Sequence, residues 1–442
     1  MNRDENPPRP APSHSPRGLG RATEALEIPA FRRIFVSNMA FFLAMGGQSV
    51  VRPWLAFELT DSTFALAIVS AATAVPMLLL SPFGGVLADR MERRLVILLA
   101  QSLAVVAELV PLVLLYLDRL EFWHLVVTAS MMGCVFPMIM PARSAIVVNL
   151  VGKKGLGSAM ALNMTGVNVT RVVGPAMAGA LIPLIEVERV YLGHLVLYVL
   201  ALFALFRVDR LPPPAGGSQE SIGRNMLEGF QYLGKNRLVL ILLIYGLVPQ
   251  FLAMPFQTLL PAFARDVWHM GPVGFGILNA ASGIGAATGS LFVAARRPDA
   301  GRLSAMMFSV IAFGVLLAAF AASPWFWPAV GLVFVANIFA STFSTLNNVA
   351  IQLVIPDSIR GRISSFLMMS VSLPLLGTLP IGALAERIGA PAAVTGASLL
   401  ASVAAVAFYF GSRSLRELDA HVPVSYTHLR AHETKANLVC RL

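Results

Sequence analysis

The sequence predicts an all-α membrane protein of twelve transmembrane helices in two six-helix bundles. Three observations carry that prediction. Apolar segments of spanning length recur twelve times. Lysine and arginine crowd into alternate loops. The second half of the chain echoes the first at a constant offset.

Composition sets the class. The 442 residues are 57% hydrophobic and 13% charged, with a mean hydropathy of +0.73. A soluble chain of this length keeps a mixed surface and cannot hide that much apolar area. The apolar runs are about 20 residues long, enough for a helix to cross ~30 Å of hydrocarbon. The strict alternation of a membrane barrel is not seen. Of the two cysteines only Cys134 lies in the main body, so there is no disulfide framework. The net charge of +10 is mostly the excess that orients membrane proteins, not a nucleic-acid footprint.

The segments fall at 34–58, 64–87, 95–117, 122–148, 158–183, 187–207, 238–263, 272–294, 303–322, 325–354, 363–384 and 391–411. An even count puts both termini on one side. With that side inside, the inner loops hold 23 Lys and Arg and the outer loops four, namely Arg119, Arg189, Arg265 and Arg387. The positive-inside rule therefore predicts cytoplasmic termini.

Residues 1–30 are rich in Pro, Arg, Ser and Gly without an apolar run, and read as a disordered cytoplasmic tail rather than a cleavable signal. The first bundle is expected over 31–207 and the second over 238–411. Between them, 208–237 forms a cytoplasmic linker. It opens with Pro212-Pro213-Pro214-Ala215-Gly216-Gly217-Ser218 and continues into a short amphipathic run from Ser221 to Leu233. A short cytoplasmic tail spans 412–422. Residues 423–442 break the preceding pattern and back-translate to a sequencing-library adaptor, so they read as an artefact that replaces the native C-terminus. This removes His428, His432 and Cys440 from any metal argument; no metal site and no cofactor are expected.

The repeat is visible residue by residue. A slide of 203 aligns Leu150-Val151 with Leu353-Val354, Gly174 with Gly377, and Gly179-Ala180-Leu181 with Gly382-Ala383-Leu384. Two parallel six-helix halves predict such an offset.

Gly85-Val86-Leu87-Ala88-Asp89-Arg90-Met91-Glu92-Arg93-Arg94 interrupts the apolar field between the second and third segments. A charged tether this short reads as a tight turn at the cytoplasmic surface. Gly85, Asp89, Arg90, Arg93 and Arg94 fit the pattern G-x-x-x-D-R-x-G-R-R/K, and here the chain resembles the major facilitator superfamily. Glu92 stands where that pattern has glycine, and a positive φ there would strain it. Phe31-Arg32-Arg33, Glu58-Leu59-Thr60-Asp61-Ser62, Pro141-Ala142-Arg143, Arg171-Val172-Val173-Gly174-Pro175 and Pro356-Asp357-Ser358-Ile359-Arg360-Gly361-Arg362 narrow the resemblance. They are similar to the branch of enterobactin and macrolide exporters described as transmembrane secretion effectors. Gly174, Pro175 and Gly179 resemble the helix-5 motif of exporting antiporters. The loop after the eighth segment keeps Gly289, Arg296 and Arg297 but has Val293 in place of the aspartate.

Ionisable groups inside a membrane cost about 3 kcal/mol or more and face a cavity or a partner. Arg52 lies one turn after Gln48, and with Asn38, Phe42 and Met45 it reads as a cavity stripe or as an arginine snorkelling outward. Glu108, in the third helix, reads as a proton site or a structural ion-pair partner. Arg171 follows Asn168 and Asn163 in the fifth helix, where binding and structural readings stay open. Arg143 either meets Asp89 or simply anchors the helix.

The resemblance implies a secondary transporter working by alternating access, driven by protons, exporting a drug-like or siderophore-like molecule from a bacterial inner membrane. Its partners would be that small molecule, protons and the bilayer, with no nucleic acid, and the protein would be a monomer. Asp89 would latch onto the start of the eleventh helix, and Arg93 and Arg94 onto carboxylates or helix ends; Asp89→Asn would then impair transport but not insertion. A nutrient importer of the same fold and a non-transporting scaffold or receptor are the alternatives. No constellation at catalytic spacing suggests an enzyme.

Overall fold

The computed structural model describes residues 25–209, 231–295, 302–355 and 373–412, and all their regular structure is helical. The spans are α1 (Pro29–Thr60), α2 (Thr63–Arg90), α3 (Arg93–Tyr116) and α6 (Val187–Phe206), with α4 (Phe122–Val151) and α5 (Leu156–Ile185) between them. The second half holds α7 (Arg237–Val267), then α8 (Gly271–Ala295), α9 (Arg302–Ala322), α10 (Phe326–Val354), α11 (Leu373–Ile388) and α12 (Ala390–Gly411). Eleven of the twelve are long and apolar enough to cross a membrane. The residues that precede α11, 356–372, lie outside the described ones, as do the N-terminal tail to residue 24, most of the linker and the 423–442 segment.

Local chemistry explains most of the breaks. Ser62 caps α2, its hydroxyl accepting from the Ala65 N–H. Asn236 caps α7 through the Val239 N–H. Within α7, Pro249 and Pro255 stop the first stretch at Leu252; the chain resumes at Phe256 and ends in a π-turn over Phe263–Val267.

Three expectations change. The backbone between α4 and α5 never leaves helical conformation. Yet Arg143 lies over the Phe41 and Phe42 rings while Asn163 accepts from Asn38, so both contact one stretch of α1. A straight helix would separate residues 143 and 163 by about 30 Å, so the chain doubles back between them. The charged turn is also shorter than expected: α2 continues through Arg90, leaving only Met91 and Glu92 as a link. Glu92 has φ −56° and ψ 118°, so replacing glycine there creates no positive-φ strain.

The repeat governs element boundaries. The 203-residue offset carries α4 onto 325–354, the end of α5 onto Ile388, and the start of α6 onto Ala390, matching α10, α11 and α12. It carries Glu186, at φ 70° and ψ 155°, onto Gly389, at φ 86° and ψ 150°. Both make the same turn before the last helix of their bundle.

We call the membrane face carrying the start of α1 and the end of α12 the terminal face, and the opposite one distal. Each bundle has its own apolar core near the terminal face. One contains Phe41, Ile97, Ile139 and Leu205; the other contains Leu242, Met306, Phe343 and Ile351. Near the distal face a single core runs through both bundles, from Phe57, Leu66 and Ile182 to Phe256, Phe320 and Val333. The halves are therefore fused distally and separately packed toward the terminal face.

Candidate functional site

Small residues make the distal fusion possible. Gly179 of α5 lies so near α8 that an added Cβ would sit 2.6 Å from Gly276 Cα and 2.7 Å from the Pro272 carbonyl. Ser70 of α2 meets Thr258 of α7 at 3.2 Å. The Thr378 hydroxyl of α11 donates to the Ala67 carbonyl of α2. Glu386, near the end of α11, accepts from the hydroxyls of Ser62 and Thr63 and from the Phe64 N–H. A carboxylate thus sits on the positive end of α2. Arg265 of α7 is ion-paired with both Asp61, at the end of α1, and its neighbour Asp266, and its guanidinium covers the Phe57 ring.

Inside the first bundle lies a second constellation, of charge rather than seam contacts. Glu108 of α3 is fully buried. Its Oε2 accepts from the Gln48 amide of α1, and its Oε1 faces His194 Nδ1 of α6 at 3.2 Å. Tyr198 of α6 donates to Gln48 Oε1 at 3.4 Å. Arg52 is buried nearby, with Nε and Nη2 lacking hydrogen-bond partners among the described residues, beside Tyr191. The imidazole fits because α1 has Gly47 opposite it; an added Cβ there would strike His194 Nε2. Gly46 and Gly47 are packed from their other side by Gly174 and Pro175 of α5, where a Cβ on Gly174 would lie 2.8 Å from the Leu43 carbonyl.

The sequence-derived candidates therefore separate into groups. Gln48, Arg52 and Glu108 come together, but they face α3 and α6 rather than a cavity. The helical advance of about 100° per residue turns that face inward and leaves Ser49 exposed instead. Gln48 and Arg52 are thus buried between helices of the first bundle. Asn168 and Arg171 are exposed on α5, beside its contact with α8 at Gly283 and Val172. By helical geometry they lie away from the exposed apolar stripe of Val169, Val173, Met177 and Leu184, on a side that also carries the exposed Met164. They share no contact with the Glu108 cluster.

The charged-turn residues divide as well. Arg94 donates to the Leu205 and Phe206 carbonyls at the end of α6, and Arg93 to the Ala145 carbonyl of α4. Both brace their own bundle. The backbone of Gly85, Asp89 and Arg90 is helical, while their side chains, and with them the Asp89 latch, lie outside the described structure. Arg143 is buried against Phe41 and Phe42 rather than fully exposed as a surface anchor.

Sequence reasoning missed His194. A lone histidine in an apolar helix carries no motif or spacing that sets it apart from core. It was detectable as the one histidine in the interior of a span, where an ionisable group is a functional candidate. The 203-residue offset shows that the cluster is one-sided: Phe251, Pro255, Ile311 and Ala397 stand where Gln48, Arg52, Glu108 and His194 stand in the first half.

Comparison with known proteins adds three findings. The profile of the transmembrane secretion effector family matches residues 22–440. The enterobactin exporter EntS of Shigella boydii serotype 18 is 29% identical over 349 residues, spanning 76% of this chain and 80% of its own length; its namesake in Citrobacter koseri is 28% identical over the same span. Among solved structures, the nucleoside transporter NupG has a TM-score of 0.68 at 13% identity, covering 88% of this chain and 98% of its own. A bacterial homologue of the human lysosomal transporter Spinster, inward-facing and unoccupied, has a TM-score of 0.63 at 14% identity, covering 92% and 98%. At these identities the structural likeness is one of fold.

Proposed function

We propose an export function for this chain, which belongs to the transmembrane secretion effector family of major facilitator transporters. Its cargo is a siderophore-like small anion, moved by alternating access and driven by protons travelling the other way. The terminal face is cytoplasmic and the membrane is a bacterial inner membrane, in keeping with the 23-to-4 distribution of Lys and Arg and the Gram-negative relatives.

One observation carries the cargo class. Arg171 is an exposed guanidinium within a membrane span, paired on its face with Asn168 and standing at the seam between bundles. An intramembrane cation at that seam suits an aqueous cavity and an anionic ligand. The relatives named as enterobactin exporters support the same class.

The test is uptake of enterobactin by everted vesicles containing the full chain. Accumulation should follow an imposed proton gradient and collapse with a protonophore. Arg171→Gln should reduce it by about ten-fold, the scale of one lost charge-assisted hydrogen bond. Uptake only in right-side-out vesicles would instead identify an importer. No movement of enterobactin or of chemically diverse anions in either orientation would remove the transport reading of this cargo.

A further inference from the structure

We propose that Glu108 and His194 together form the proton-binding site, sealed inside the first bundle and separate from the cargo face. The inference deepens the export reading and rests on it for the coupling.

Burial and geometry carry it. A carboxylate within a span persists only with partners, and this one has two polar partners on different helices, Gln48 of α1 and His194 of α6. Imidazole is the side chain that changes charge near neutrality. The other ionisable groups facing the pair are Arg52 from α1 and Tyr191 and Tyr198 from α6. Arg143 of α4 lies one layer toward the terminal face, close to Tyr198. The described part of α2 adds none at this level.

The proton balance is simple. In the unprotonated state, neutral His194 donates from Nδ1 to ionised Glu108, whose charge offsets Arg52. An incoming proton is taken up at Nε2. The 3.2 Å contact then serves either as imidazolium to carboxylate or, after transfer, as carboxyl O–H to Nδ1. In both forms Arg52 loses net compensation, and a new N–H points at the Gly47 backbone of α1. Release of the proton reverses each change.

That consequence falls on a moving part. The Gly46–Gly47 ledge of α1 is packed against Gly174 and Pro175 of α5. Little more than one turn further along, α5 bears on α8 through Gly179 and Gly276, the seam between the bundles. Protonation thus loads α1 against the same helix that carries Arg171 and closes the distal side. Proton and cargo need not compete for one residue; they compete for one arrangement of α1 and α5.

Two measurements separate this proposal from the export reading. In proteoliposomes, Glu108→Gln and His194→Gln should abolish accumulation of enterobactin driven by a proton gradient, while enterobactin counterflow stays within about two-fold of wild type. Glu108→Asp, which keeps the carboxylate, should retain gradient-driven accumulation with a displaced pH profile. Gradient-driven accumulation in both Gln and Gln variants would overturn the site. Independently of any cargo, infrared difference spectra of the purified chain between acidic and alkaline buffer should show a proton-dependent band, either a protonated-carboxyl stretch or an imidazolium ring mode, that is missing in both Glu108→Gln and His194→Gln. A wild-type protein without that band overturns the proposal even if transport is found. The band without any transport upholds the proton site and rejects the cargo reading.

Discussion

Arg265 of α7 is ion-paired with Asp61, the residue that ends α1, so one guanidinium ties the two bundles together at the distal face. Asp61 adopts the left-handed conformation at φ 53°, which directs the chain sharply into α2. The Asp61 side chain is 81% exposed, which limits the energy of the pair. Exposed pairs contribute about 0.2–1 kcal/mol. Arg265→Ala should therefore raise the distally open population by no more than about five-fold. The readout is labelling of Ser70→Cys by an impermeant maleimide, with Cys134→Ser and Cys440→Ser in the background. Unchanged labelling would show that the pair does not hold the distal face.

Glu386 is the stronger clasp. It takes three donors from the first turn of α2, including a backbone N–H. Charge-assisted bonds contribute about 1.5–3 kcal/mol when shielded, and the exposure of Glu386 reduces this to about 1 kcal/mol. Glu386→Ala should expose Ser70→Cys at least as much as Arg265→Ala does, and the double variant should exceed either. Equal labelling of single and double variants would mean that the two contacts break as one unit.

Gly179→Ala tests the seam itself. The new methyl meets backbone on α8, which cannot rotate away, so α5 and α8 must part. Overpacking of this sort costs roughly 1–3 kcal/mol. The expected result is a protein of normal yield that labels readily at Ser70→Cys and transports poorly. Normal transport and protection at Ser70→Cys would place the seam elsewhere.

Glu186 predicts a gain. Its backbone occupies a region reached comfortably only by glycine, and its counterpart in the second half is Gly389. Its ion pair with Arg189 is long, at 3.8 Å, and exposed. Glu186→Gly should stabilise the detergent-purified protein by about 1 kcal/mol, seen as a higher Tm, after the entropy of the added glycine is offset. A lower Tm would assign Glu186 a role beyond the turn.

The helices, their number and their pairing were legible because hydropathy, charge and repeat are one-dimensional properties. The α4–α5 link was less so: Gly152, Lys153, Lys154 and Gly155 look like a loop, yet no assigned break separates the two helices although the chain doubles back between Arg143 and Asn163. Glu92 was judged a strained site when Glu186 is the strained one, because positive φ depends on the turn's geometry and not on departure from a motif. Glu108, Gln48 and Arg52 could each be suspected singly. That they meet His194, and not a cavity, depends on the rotation of three helices about their axes, which no spacing in the chain specifies. Arg171 and Asn168 were singled out by polarity, and both are exposed.

Among the described residues, the buried carboxylate, guanidinium and imidazole groups all lie in the first bundle, and this has an electrical consequence. Among the described residues, the interior of the second bundle holds amides and hydroxyls, but no acid, base or histidine. Moving one charge across the whole membrane is worth about 2.3 kcal/mol per 100 mV. A proton that reaches mid-span at Glu108 crosses roughly half the field and is worth about half as much. Voltage would then act on the described interior through the first six spans rather than the last six. A transient current on a proton jump, present in wild type and lost in Glu108→Gln, would be the signature of that division.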